Sequence, residues 1–230
     1  MRTIGLIGGM SWESSVHYYR LINQGVRDAR GGITSAPLVM HSFDFAEIAA
    51  MQTAGEWDAL GEKLAGAARG LHAAGAEAVL ICTNTMHKLA EAVDDASPAR
   101  LIHIADPLGD AVLAAGHETV GLLGTRFTMN EPFYADRLAA KGLKVVLPEP
   151  GRRDEINRVI FEELCAGQIR EESRAYYCDI IADLQSRGAQ AVALACTEIM
   201  LLIEPCDSCL PVFDTTELHA KAAVNFILEG

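Results

Sequence analysis

Short, continuous apolar runs punctuate the chain near 3–8, 37–41, 77–82 and 101–104, and again near 119–123, 143–147, 190–195 and 210–213. Runs of this kind, without polar alternation, predict strands buried on both faces, as in a parallel sheet covered by helices. The stretches near 13–29, 56–74, 85–94 and 107–115 read as helices, as do those near 130–140, 153–165, 170–186 and 215–228. Parallel neighbours need crossover connections, and these helices supply them.

The pattern repeats. Thr3-Ile4-Gly5-Leu6-Ile7-Gly8-Gly9 matches Thr119-Val120-Gly121-Leu122-Leu123-Gly124-Thr125 at an offset of 116 residues. Gly75-Ala76-Glu77-Ala78-Val79 matches Gly188-Ala189-Gln190-Ala191-Val192 at an offset of 113. A weaker pair sets Ile102-His103-Ile104-Ala105-Asp106 beside Pro211-Val212-Phe213-Asp214. Three pairs in one order predict two related halves, each a doubly wound, Rossmann-like α/β domain with a parallel sheet, related by a pseudo-two-fold axis. The expected division is 1–98 plus 207–230 for the first domain and 99–206 for the second. Ligands of such sheets bind beyond the carboxyl ends of the strands, so the expected active site is a cleft between the two domains.

Three such strands end in polar clusters: Gly8-Gly9-Met10-Ser11, Cys82-Thr83-Asn84-Thr85 and Cys196-Thr197-Glu198. A fourth, Gly124-Thr125-Arg126, mirrors the first. Singly, Ser, Thr and Asn here are turn residues and helix caps. Four clusters at equivalent strand ends point instead to a site, with helix N-termini suited to carboxylate or phosphate. Cys196 ends an apolar run ahead of an expected helix start, a position that favours thiolate. Cys82 looks like its partner, but the register argues otherwise. Aligned without gaps from Gly75 and Gly188, Cys82 meets Ala195 and Thr83 meets Cys196. Side chains alternate along a strand, so Thr83 is expected opposite Cys196, and Cys82 is expected to pack beside the sheet.

Composition narrows the chemistry. The 230 residues carry a formal charge of −12, against nucleic acid as a partner. No apolar run approaches the ~20 residues of a membrane helix, and the N-terminus reads as a first strand and not as a signal peptide. The six cysteines are scattered, which predicts free thiols and a cytoplasmic protein. Cys206-x-x-Cys209 stands alone, without the four ligands of a zinc site. Neither a dinucleotide loop nor a phosphate loop is present: Gly8-Gly9-Met10-Ser11-Trp12-Glu13 lacks the third glycine. His87, placed after a helix start, caps that helix or lines the cleft, although for it, as for His103 and His219, a satisfied structural role is the expectation. The pairs Glu162-Glu163 and Glu171-Glu172 read as solvated helix faces.

Taken together, Ile7-Gly8-Gly9-Met10-Ser11-Trp12-Glu13-Ser14, Cys82-Thr83-Asn84-Thr85-Met86-His87, Leu123-Gly124-Thr125-Arg126-Phe127-Thr128-Met129, Cys196-Thr197-Glu198-Ile199 and Phe213-Asp214-Thr215 carry a resemblance. The chain resembles the cofactor-independent aspartate/glutamate racemases along nearly all its length. The resemblance implies an isomerase that needs neither pyridoxal phosphate nor metal. It implies two proton-transfer groups on opposite faces of the substrate α-carbon. That family's common form is Cys-Asn-Thr, whereas Thr83 precedes Asn84-Thr85 here. The chain looks most like the branch with threonine in that position, which acts on acidic L-amino acids. Carried over, Thr83 and Cys196 take the catalytic positions. Asn84, Thr85, Thr125 and Thr197 would hold carboxylates, Met10 and Gln52 would line the pocket, and Glu198 could face the substrate ammonium. The resemblance alone suggests a homodimer. A threonine hydroxyl is a poorer base than a thiolate, so rapid one-sided α-proton exchange with slower inversion is expected. Two alternatives stay open: a hydantoin racemase or maleate isomerase-like enzyme on the same scaffold, and a non-catalytic acidic amino-acid binding protein.

Overall fold

The computed structural model describes residues Met1 to Gly230. The chain parts into two compact units, Met1–Ile104 with His219–Gly230, and Ala105–Leu218. No helix is long and apolar enough to cross a membrane.

The first unit contains β1 (Ile4–Gly8), α1 (Trp12–Arg30), β2 (Leu38–Ser42), α2 (Phe45–Ala54), α3 (Trp57–Ala73), β3 (Ala78–Ile81), α4 (Ala90–Asp95) and β4 (Arg100–Leu101). Its strands are all parallel, in the order β2-β1-β3-β4. Alternation along the strands sorts their side chains by face. Ile4, Leu6, Ala78, Leu80 and Cys82 pack with Tyr18, Ile22 and Val26 of α1 and with residues 220–227. Ile7, Val79 and Ile81 pack on the other face with Ile48 of α2 and Leu60 and Leu64 of α3.

The second unit opens with α5 (Ala105–Ala114) and β5 (Thr119–Gly124). Next come α6 (Arg126–Asn130), α7 (Pro132–Ala140), β6 (Lys144–Val146), α8 (Pro150–Arg158), α9 (Glu171–Ser186), β7 (Ala191–Ala195) and β8 (Val212–Asp214). The strands are parallel in the order β6-β5-β7-β8, the order of the first unit repeated. The last helix, α10 (Thr215–Leu228), starts in this unit and continues into the first. Val192, Leu194 and Cys196 pack against Ile156, Tyr177, Ile180 and Leu184. Gly5 and Gly121, equivalent in the repeat, let a helix lie close to the sheet. A Cβ at Gly5 would lie 3.1 Å from the Leu71 Cβ, and one at Gly121 would lie 2.9 Å from Leu184.

All eight expected strands are present, and the repeat is a repeat of topology. Several details differ from the sequence reading. The chain changes unit after Ile104 and after Leu218, not after 98 and 206. The reason is strand pairing: β4 pairs with β3 of the first sheet, and β8 pairs with β7 of the second. Helix α2 was not expected. It buries only Ile48 and Gln52 as a stripe, too little to set an apolar period, but Asp44 caps it by accepting the Ala46 N–H at 3.0 Å. The helix expected over 153–165 is broken by a π turn, Val159–Glu163, and a 3-10 turn, Leu164–Ala166. Within it Glu163 is buried, unlike the solvated face expected of the Glu162-Glu163 pair. Its carboxylate accepts from Ser173 Oγ at 2.5 Å and from Arg158 at 2.8 Å, which offsets its desolvation.

Candidate active site

In both sheets the first and third strands lie side by side at the centre, and the crossovers leave them in opposite directions. This is the topological switch point, where the carboxyl ends of the strands open a crevice in such folds. The four polar clusters of the sequence sit at those ends.

In the first unit β1 runs into a turn at Gly9, Met10 and Ser11. Ser11 caps α1 by accepting the Ser14 N–H at 3.3 Å, and the Gly9 N–H donates to Ser15 Oγ at 2.8 Å. Met10 is buried in one apolar cluster with Ile48 and Met86. Beyond β3, Cys82 donates its N–H to the Ile7 carbonyl, Thr83 is partly buried, and Asn84 and Thr85 are buried. A 3-10 turn, Thr85–Leu89, comes next. Gln52 reaches this turn from α2, its Nε2 lying 3.0 Å from Met86 Sδ. Met10, Gln52, Thr83, Asn84 and Thr85 therefore gather at one end of the first sheet.

His87 holds this turn from beneath. The Ile104 N–H donates to Nε2 at 3.2 Å, so Nδ1 carries the proton and donates to the Thr83 carbonyl at 2.8 Å. His103 and His219 lie beside it, with ring centroids 4.5 Å and 5.7 Å away. His219 is held by Tyr18 and the Ile102 carbonyl. Burial first, and then the neighbouring His103 and His219, hold the His87 pKa well below the ordinary 6.5. A satisfied structural role was the expectation for His87, and the structure shows both ring nitrogens bonded, with Nδ1 locking the Thr83 main chain.

That imidazole makes stability depend on pH. The folded state binds its proton less readily than the unfolded chain, so stability is full above pH 6.5 and declines as pH falls below it. A Tm–pH scan is expected to show this decline, and His87→Gln is expected to flatten it; an unchanged slope in that variant would remove His87 as the cause.

In the second unit Thr125 caps α6, accepting the Thr128 N–H at 3.4 Å. Beyond β7, Cys196 is 8% exposed. Its Sγ donates to Glu198 Oε2 at 3.1 Å, and the Thr197 hydroxyl donates to the same oxygen at 2.7 Å. Thr125, Cys196, Thr197 and Glu198 thus share the carboxyl end of the second sheet. Cys196 leads into a 3-10 turn, Ile199–Leu201, and not into a full helix. The expected thiolate-stabilising terminus is therefore missing. Burial, then the Glu198 charge and hydrogen bond, push the Cys196 thiol well above its ordinary value. Sequence reasoning missed this coupling, although a carboxylate two residues along a turn was its signal.

The sheet registers settle the equivalence of the two units. Ile7 lies opposite Ile81 in the first sheet, and Leu123 lies opposite Leu194 in the second. Continuing one residue, Gly8 faces Cys82 as Gly124 faces Ala195. Cys82 is therefore the counterpart of Ala195, and Thr83 that of Cys196. Cys82 is fully buried on the α1 face, where burial raises its thiol pKa. Cys206 and Cys209 are exposed free thiols ahead of β8. No group of three or more His, Cys, Asp or Glu side chains is arranged to hold a metal.

A sequence profile described as Asp/Glu/hydantoin racemase matches residues 7–223. The chain belongs to this family. It is therefore an isomerase of the racemase class. A crystal structure of a candidate Asp/Glu racemase from Yersinia pestis is 46% identical, with a TM-score of 0.94 over 99% of this chain and 100% of that one. An aspartate racemase homologue from Pyrococcus horikoshii is 32% identical, with a TM-score of 0.86 over 99% and 100%. Aspartate racemase from Picrophilus torridus, 18% identical, shares the fold with a TM-score of 0.80 over 99% and 94%.

Proposed function

We propose that this racemase interconverts the enantiomers of an acidic amino acid, aspartate or glutamate, without a cofactor. Thr83 and Cys196 are the two proton-transfer groups, one on each face of the α-carbon. The observation that carries the reading is the register: the two residues hold one position in two copies of one sheet. Asn84, Thr85, Thr125 and Thr197 bind the carboxylates, Met10 and Gln52 line the pocket, and Glu198 faces the substrate ammonium. Similarity at 32% identity to a protein named as an aspartate racemase homologue supports the acidic substrate. Threonine in place of the first cysteine supports membership of the branch acting on acidic L-amino acids. Free thiols suit a reducing cytoplasm, and a homodimer rests on the resemblance.

The chemistry comes from the two side chains. A thiolate can remove the weakly acidic α-proton when the carboxylate is held by N–H and O–H donors that stabilise the carbanion. The Thr83 hydroxyl then supplies a proton on the opposite face. Its low acidity makes that half of the inversion slower. Enantiomers are equally stable in water, so kcat/KM is the same in both directions, and the asymmetry shows only in exchange against inversion.

The test is incubation with L-aspartate and L-glutamate in D2O, following α-proton loss by NMR and enantiomers by chiral chromatography. Thr83→Ala is expected to keep exchange from the face served by Cys196 and to lower inversion by about 10²-fold or more. Thr83→Cys is expected to raise the ratio of inversion to exchange. Equal rates of exchange and inversion in the parent would sink the one-sided scheme. No exchange with either substrate would overturn the acidic amino-acid assignment.

A further inference from the structure

The Cys196 thiol and the Thr197 hydroxyl converge on a single oxygen, Glu198 Oε2, at 3.1 Å and 2.7 Å. A carboxylate that accepts an S–H bond favours the protonated sulfur, because thiolate beside carboxylate is a like-charge pair. Two further titratable groups couple with Cys196: the Cys165 thiol, from the 3-10 turn Leu164–Ala166, and Tyr177, from α9, which is buried with its hydroxyl donating to the Ile156 carbonyl at 3.1 Å. Neither supplies the positive charge that would favour a thiolate. A base at this position needs its proton removed, and the Glu198 carboxylate opposes that removal.

We infer that Glu198 sets the protonation state of Cys196: the free protein holds a neutral thiol, and a bound amine that pairs with the same carboxylate releases it as thiolate. The second clause rests on the acidic amino-acid reading above; the first does not. Glu198 is only partly buried, so its carboxylate can be reached by a ligand cation. The proton balance is simple. An ammonium beside Glu198 cancels the charge that repels thiolate, and the thiol proton passes to solvent. The thiolate then takes the α-proton and becomes a thiol again. The carbanion takes its proton from Thr83, whose oxygen is reprotonated by solvent. Substrate itself thus switches on the base, and the unliganded thiol is protected from oxidants and alkylating agents, which attack the thiolate.

The test is a thiolate absorbance titration near 240 nm, with Cys196→Ala subtracted to isolate this sulfur and peptide-resolved iodoacetamide labelling beside it. In the parent, Cys196 is expected to titrate above the ordinary thiol value of 9.0. Glu198→Gln keeps an acceptor oxygen and removes the charge; its midpoint is expected to fall by about 1–3 units, with faster labelling at pH 8. Glu198→Asp, which restores the charge, is expected to recover part of the shift. Succinate occupies a dicarboxylate site without bringing an ammonium. L-aspartate is expected to lower the parent midpoint, and succinate is not. Equal midpoints in the parent and Glu198→Gln would overturn the role of Glu198. A Glu198→Gln shift together with identical responses to L-aspartate and succinate would overturn the substrate switch alone. Because labelling needs no turnover, these outcomes separate from the D2O experiment, where absent exchange removes the substrate assignment but not the Glu198 effect.

Discussion

Replacing Cys196 with alanine is expected to lower α-proton exchange on an acidic amino acid by about 10²–10⁴-fold, the usual contribution of a positioned acid–base group. Val192, Leu194 and Cys196 project to one face of the sheet, so the sulfur stands at the carboxyl end of a central strand, at the switch point. The variant removes one sulfur from a position at the rim of the core, so Tm is expected to change little while exchange is lost. Cys82→Ala is the matched control. Its sulfur packs on the opposite face of its sheet with Tyr18 and Val26, so exchange is expected to persist. NMR in D2O reads both variants. Exchange within about threefold of the parent in Cys196→Ala would remove it from the proton-transfer pair.

The largest loss of stability is expected from Gly9→Ala. Gly9 turns the chain from β1 into α1 with φ +80, a conformation that costs other residues roughly 1–3 kcal/mol. An added Cβ would also lie 2.2 Å from the Phe43 carbonyl oxygen and 2.4 Å from its nitrogen. Those atoms cannot yield easily, because the Phe43 N–H is bonded to the Gly8 carbonyl at 3.1 Å. Adding roughly 1–3 kcal/mol for overpacking gives a loss of about 2–6 kcal/mol and a Tm fall of roughly 10 °C. Gly31 separates strain from clash: its φ is +76, but a Cβ there meets nothing within 4 Å. Gly31→Ala is therefore expected to cost only the strain. Thermal denaturation of the pair checks this, and equal losses would show that the Phe43 contact contributes nothing. Because Gly9 precedes Met10 and Ser11, the folded fraction of Gly9→Ala is also expected to bind substrate less tightly.

Much of this protein was legible in the chain itself. The strands were readable because a parallel strand covered on both faces must be apolar throughout, a local property of a few residues. The repeat was readable because both halves use the same small residues where helix meets sheet, as Gly5 and Gly121 do. The equivalence of Thr83 and Cys196 in the repeat was readable because strand alternation turns a one-residue slip into a change of face. Tertiary structure decided what depends on neighbours distant in sequence. Which sheet residues 99–104 and 207–218 join is a matter of strand pairing, and short strands carry no partner code. Glu163 is charged in composition and buried in fact, because Arg158 and Ser173 come to it. His87 acts on the Thr83 carbonyl only because the Ile104 N–H fixes its tautomer. The protonation of Cys196 reverses the sequence expectation, since a full helix start would have lowered the thiol's pKa while burial and the Glu198 carboxylate raise it. Hydrophobic periodicity is written residue by residue, whereas desolvation and charge act through space, so the chain determined where Thr83 and Cys196 stand in their sheets and the fold determined the surroundings of the Cys196 thiol.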